Sequence, residues 1–193
     1  MLGLQLPTDP RWVNIVEKNI DEILTDHAFC EQKAATNAIT LIVQYPEHSD
    51  LVKAMVELAR EELCHFQLVH EKIIARGSVL GRERKDEYVN ELYSFIRKGY
   101  NRKIVLVDRL LFSALIEARS CERFKLLSEN IADKELSAFY YELMVSEAGH
   151  YTMFLNFARK YANGNEVEKR WKEFLDYEAK VIAKYGTKET IHG

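Results

Sequence analysis

Two short runs, Glu62-Leu63-Cys64-His65 and Glu147-Ala148-Gly149-His150, constrain this chain more than any other feature. On an α-helix, residues three apart project about 60° apart around the axis and about 4.5 Å apart along it. A carboxylate and an imidazole so spaced can close on one metal ion. Each run also lies inside an apolar stripe. Leu51, Met55, Leu58, Val69 and Ile73 share a helical face with Glu62 and His65, and Leu136, Leu143, Phe154 and Ala158 share one with Glu147 and His150. A solitary Glu-x-x-His carries little weight, because both residues are common on solvated faces. Two of them on core-facing stripes carry more, since an ionised carboxylate taken out of water requires a partner charge or a metal.

Two further helical patterns each place one glutamate on the apolar face. Glu31 follows Leu24 and Ala28 and precedes Ala35 and Ala38, and Glu117 stands among Val107, Leu110, Ala114, Cys121 and Phe124. The order is thus Glu, then Glu-x-x-His, twice over, with 31 residues from Glu31 to Glu62 and 30 from Glu117 to Glu147. Near-equal spacing predicts two similar helical hairpins. It is the ligand pattern of ferritin-like carboxylate bundles.

The expected fold is therefore all-α: a ferritin-like four-helix bundle with a long crossover and an extra C-terminal helix. One domain is expected over 1–193, with core helices at about 11–44, 50–75, 104–128 and 134–162 and an outer helix at about 166–185. The scarcity of breakers, 3 Pro and 8 Gly in 193 residues, agrees with helix rather than sheet. Residues 77–103 read as the crossover, with a short helix near 87–98. The three cysteines, Cys30, Cys64 and Cys121, form no disulfide framework and read as small buried residues in a reducing compartment. No stretch has the run of about 18 apolar residues that a membrane span requires, and the N-terminus does not read as a signal peptide. A cytoplasmic protein without a membrane partner is expected.

Six residues are the expected metal ligands: Glu31, Glu62, His65, Glu117, Glu147 and His150. Four carboxylates balance two divalent cations, and mixed carboxylate and imidazole donors suit iron or manganese rather than a thiolate-seeking metal. Glu61, Glu122, Glu135 and Glu142 fall off the stripes. His27, one turn before Glu31, is expected in a non-ligand role, and His48, His70 and His192 read as loop or surface histidines. The crossover is locally basic. Residues 76–103 carry eight basic and four acidic side chains, a net +4 in a chain of net −3. By itself this is what a solvated charged loop looks like.

Four runs resemble a known family. They are the segment from His27 to Ala35 (HAFCEQKAA), Arg60 to Phe66 (REELCHF), Leu115 to Phe124 (LIEARSCERF) and Ser146 to Tyr151 (SEAGHY). Together they resemble the bacterial tRNA hydroxylases often called MiaE, over about residues 5–185. The Glu-Ala-Arg-Ser-Cys-Glu-Arg-Phe run is more specific than the ligand pattern, which all ferritin-like carboxylate proteins share. The resemblance implies a non-haem di-iron monooxygenase holding two iron ions on the six ligands and using O2 as co-substrate. It implies hydroxylation of the isopentenyl group of 2-methylthio-N6-isopentenyladenosine at position 37 of tRNA, with electrons from a ferredoxin- or reductase-type donor. It also recasts the basic crossover: Arg82, Arg84, Lys85, Arg97, Lys98, Arg102 and Lys103 become expected tRNA contacts. A monomer or small oligomer is expected. The alternative is a ferritin-like iron-handling protein or ferroxidase, whose mark is assembly into a large shell.

Overall fold

The computed structural model describes residues 2–185 and 190–192, and all regular structure among them is helical. Contacts divide the chain into two compact units.

One unit spans 18–85 and 190–191. It is built on α2 (Ile20–Gln44) and α3 (Ser49–Ala75). The four-residue link between them turns on buried Tyr45, whose carbonyl accepts from the His48 amide at 3.1 Å, and makes the helices antiparallel neighbours. Their buried faces are mostly apolar, with Leu24, Ala28, Ala38 and Leu41 from α2 and Leu51, Met55, Val69 and Ile73 from α3; besides the expected ligands, α2 also buries Thr25 and His27. After α3 the chain runs back along α2. Arg76 and Ser78 bind Asp21, and the Gly81 amide donates to Thr25 Oγ1 at 3.4 Å. A Cβ on Gly81 would stand 3.0 Å from Thr25 Cγ2, so a larger residue here would require the Thr25 side chain to give way.

The other unit spans 2–17, 86–185 and 192. It holds α1 (Trp12–Lys18, whose last residue falls in the other unit), α4 (Glu87–Ser94), α5 (Arg102–Asn130), α6 (Lys134–Tyr161) and α7 (Gly164–Tyr185). Helices α5 and α6 form the second hairpin. Asn101 caps α5, its side chain accepting from the Lys103 amide, and Asp133 caps α6 through the Glu135 and Leu136 amides. Helix α7 packs on α4 and α5: Phe95 meets Phe174 edge-on at 5.1 Å and stacks on Tyr177 at 4.4 Å.

Four expectations need correction, the last of them the burial of all three cysteines. The helix expected over 11–44 is two helices, broken at Asn19, which takes φ −138° and ψ 43°. The short crossover helix ends at Ser94, not near 98. His192 is not on the surface; it is buried, with Nε2 3.1 Å from Ser120 Oγ and Nδ1 3.1 Å from Asp86. Among the cysteines only Cys121 is buried; Cys30 is half-buried and Cys64 exposed. Among the described residues no helix is long and apolar enough to cross a membrane.

Candidate metal centre

In the first hairpin, Glu31 from α2 and Glu62 and His65 from α3 converge. All three are buried, Glu62 completely. One oxygen of each carboxylate and a ring nitrogen of His65 lie within 4.8 Å of one another. His65 Nδ1 is 3.4 Å from Glu62 Oε2 and 3.8 Å from Glu31 Oε2. Behind Glu31, fully buried His27 places Nε2 2.6 Å from Glu31 Oε1. His27 is thereby placed to orient the Glu31 carboxylate, whose other oxygen lies near His65.

The second hairpin repeats the arrangement. Glu117 from α5 and Glu147 and His150 from α6 are buried, and their donor atoms also fall within 4.8 Å of one another. His150 Nδ1 stands 3.4 Å from Glu147 Oε2, the same separation as in the first hairpin. The helical i, i+3 spacing produces this equality, because both pairs stand on regular turns of long helices.

Electrostatics test whether such sets suit a cation. Burial alone would drive the His65 imidazole toward its neutral form, but hydrogen bonds and charge from Glu31 and Glu62 outweigh it and push its pKa up to about 10. Glu147 Oε1 is buried and accepts no hydrogen bond among the described residues. Buried carboxylate oxygens paired with imidazole nitrogens, with no thiolate in either set, are a donor set for iron or manganese. The residues fit a metal centre.

The competing glutamates lie elsewhere. Glu61, Glu135 and Glu142 are exposed. Glu122 accepts from the Thr8 amide and hydroxyl and pairs with Arg119 at 2.9 Å, so it serves packing. The expected tRNA contacts divide between the units. Arg82, Arg84 and Lys85 are exposed, and Arg84 pairs with Glu22 at 3.4 Å. Lys98, Arg102 and Lys103 are exposed, whereas Arg97 is drawn inward onto buried Asp108 through Nε at 2.9 Å and Nη2 at 2.6 Å. Arg170, which also binds Asp108, did not stand out in sequence because its partner lies 62 residues away.

Comparison with known proteins gives the family. The tRNA-(MS2IO6A)-hydroxylase (MiaE) family matches this chain over residues 2–193. The chain belongs to the MiaE family. A tRNA 2-(methylsulfanyl)-N(6)-isopentenyladenosine(37) hydroxylase of Pseudomonas putida is 38% identical over 164 residues, covering 85% of this chain and 78% of that protein. A protein of the same name from Salmonella typhimurium is 28% identical over 228 residues, covering 93% and 83%. Among solved structures, a Synechococcus protein with aldehyde deformylating oxygenase activity superposes with a TM-score of 0.91 at 33% identity, covering 98% of this chain and 95% of that one. The fold class of this MiaE-family chain is thus the ferritin-like four-helix bundle, with the long crossover and C-terminal helix expected from sequence.

Proposed function

We propose that this protein is an O2-dependent di-iron monooxygenase that hydroxylates the isopentenyl group of 2-methylthio-N6-isopentenyladenosine at position 37 of tRNA. The observation that carries the reading is the pair of matching buried sets, Glu31 with Glu62 and His65, and Glu117 with Glu147 and His150, in a chain of the MiaE family. In this reading the two units act as one domain, and the six residues hold two iron ions between them. The chemistry that such a pair supplies is reductive activation of dioxygen.

The net reaction replaces one C–H bond of a methyl group by C–OH. The second oxygen atom leaves as water, with two electrons from a ferredoxin- or reductase-type donor and two protons from solvent. The chain's own residues bind, orient and shield. Glu62 and Glu147, one helical turn from their histidines, fix donor geometry on rigid helices. His27 holds the Glu31 carboxylate in place. Apolar side chains on the same stripes, such as Leu58 and Phe154, keep water from the reacting groups. Basic residues of the segment 82–103 neutralise tRNA phosphates, and the reading puts the enzyme in the cytoplasm with its tRNA.

The test is nucleoside analysis of tRNA from cells with and without the gene, in a host that makes the precursor. Loss of the hydroxylated nucleoside with accumulation of its precursor is expected. An unchanged profile would overturn the reading. It would favour oxygenation of another substrate, the second reading suggested by the likeness to a protein with aldehyde deformylating oxygenase activity.

A further inference from the structure

Away from the expected metal ligands, the unit containing α5, α6 and α7 has a cavity of about 460 Å³. Its size is within the range of about 300–1,000 Å³ typical of small-ligand pockets. Arg97, Lys103, Tyr161, Asn163, Lys169 and Arg170 contribute to its wall. Of these, only Arg97 and Lys103 are among the tRNA contacts expected from sequence. The cavity lies where two helices begin. Asn101 caps α5, and Asn163 caps α7 by accepting from the Asn165 amide at 3.0 Å through its side chain and from the Glu166 and Val167 amides at 3.0 Å through its carbonyl. Helix N-termini favour anions.

The charges of the wall sort into fixed and free. Asp108 is fully buried and binds both Arg97 and Arg170, while Glu173 takes Arg170 Nη1 at 2.9 Å. Those four charges cancel and hold both guanidinium groups in place. Lys103 and Lys169 are exposed and pair with no carboxylate among the described residues. They face one remaining acid in the wall, Glu166. The surplus is positive, and two helix N-termini add to it. Beside it, Tyr100 is 59% exposed, and its ring lies 5.7 Å from the Arg97 guanidinium. Single-stranded RNA is bound by this combination of a basic groove for phosphate and an exposed aromatic ring for a base.

We propose that this cavity binds a phosphodiester group of the anticodon-loop strand outside the reacting nucleotide, through Lys103 and Lys169, with the neighbouring base stacked on Tyr100. The inference rests on the tRNA reading above and adds α7 to the RNA-binding surface. It makes the capped start of α7 a positioning element for the substrate rather than a simple helix end.

The test is fluorescence anisotropy with iron-loaded full-length protein and a labelled anticodon stem-loop RNA, at several salt concentrations. K103E/K169E should weaken binding about tenfold or more and flatten the log–log salt dependence by about one unit. K103Q/K169Q should give a smaller loss in the same direction. Y100A should weaken binding several-fold and leave the salt slope unchanged, because stacking releases no counterions. K134E/K180E, a charge reversal of equal size at exposed lysines outside the cavity, is the control. Wild-type affinity and slope in K103E/K169E, or an equal loss in K134E/K180E, would overturn the cavity assignment while leaving the tRNA reading intact. A wild-type protein that binds no RNA at low salt would overturn the tRNA reading itself, and the cavity assignment with it.

Discussion

Arg119 on α5 and Glu178 on α7 form an ion pair with no exposed surface on either side chain, Nη2 standing 2.6 Å from Oε1. The same carboxylate oxygen accepts from Arg119 Nε at 3.0 Å and from the Tyr88 hydroxyl at 2.9 Å, joining α4, α5 and α7 at one atom. Arg119 also binds Glu122 and the Leu6 carbonyl. Removing it strands the buried Glu178 carboxylate and two partly buried acceptors. Arg119→Met should cost about 3–5 kcal/mol, whereas Glu178→Gln, which retains an acceptor, should cost about 1–3 kcal/mol. Urea unfolding of the two variants checks the order.

Asp108 should give the protein part of its acid sensitivity. Burial alone would raise its pKa, but hydrogen bonds from Arg97 and Arg170 more than compensate and hold it below the ordinary carboxylate range. A pKa lower in the folded than in the unfolded state stabilises the fold at pH values above the unfolded value of about 3.9. That contribution is lost as pH falls through the folded value. Asp108→Asn should therefore lower the melting temperature at pH 7, and the gap from wild type should narrow below about pH 4. Melting curves over pH 3–7 measure it.

His27 should act on metal affinity without touching metal. Its hydrogen bond fixes one oxygen of Glu31, and loss of such an outer partner typically weakens metal binding about 10- to 100-fold. His27→Ala should lose iron to a chelator at correspondingly lower concentration, while His27→Gln, which can still donate to the carboxylate, should lose less. Competition with a chromogenic chelator reads the difference.

Glu147→Ala should remove a donor from the second set and lower iron content from about two per chain to one or fewer. Metal that binds only the folded chain stabilises it by mass action. Added iron should then raise the wild-type melting temperature and raise that of Glu147→Ala by less. Elemental analysis and calorimetry on the same samples check both outcomes.

Much of this was legible in the sequence because helical periodicity is a local property. The stripes around Glu62, His65, Glu147 and His150 locate the helices and the candidate ligands together, and their residues are buried except for Phe66 and Tyr151 on the same stripes, which are half-buried. The break at Asn19 was not legible, since Val16, Ile20 and Ile23 carry the apolar pattern straight through it. Nor was the role of the Arg119–Arg123 run. Arg119 faces Glu178, 59 positions away, and Arg123 lies over the Trp12 ring at 4.5 Å. Such partners cannot be read from spacing along one helix. For the same reason His192 passed as a surface residue, because only its buried contacts with Ser120, Asp86 and the Tyr88 ring reveal its place.

The Cys121 thiol has a bearing on how such an enzyme would survive its own oxidant. Burial pushes its pKa up to about 11, with further help from the Glu147 charge, and its sulfur donates to the Met144 carbonyl at 3.3 Å. Since the thiolate is the form that reacts with oxidants and captures soft metals, Cys121 stays almost wholly in its unreactive form at neutral pH. The candidate site of the second hairpin consequently has a neutral thiol, not a thiolate, beside Glu147.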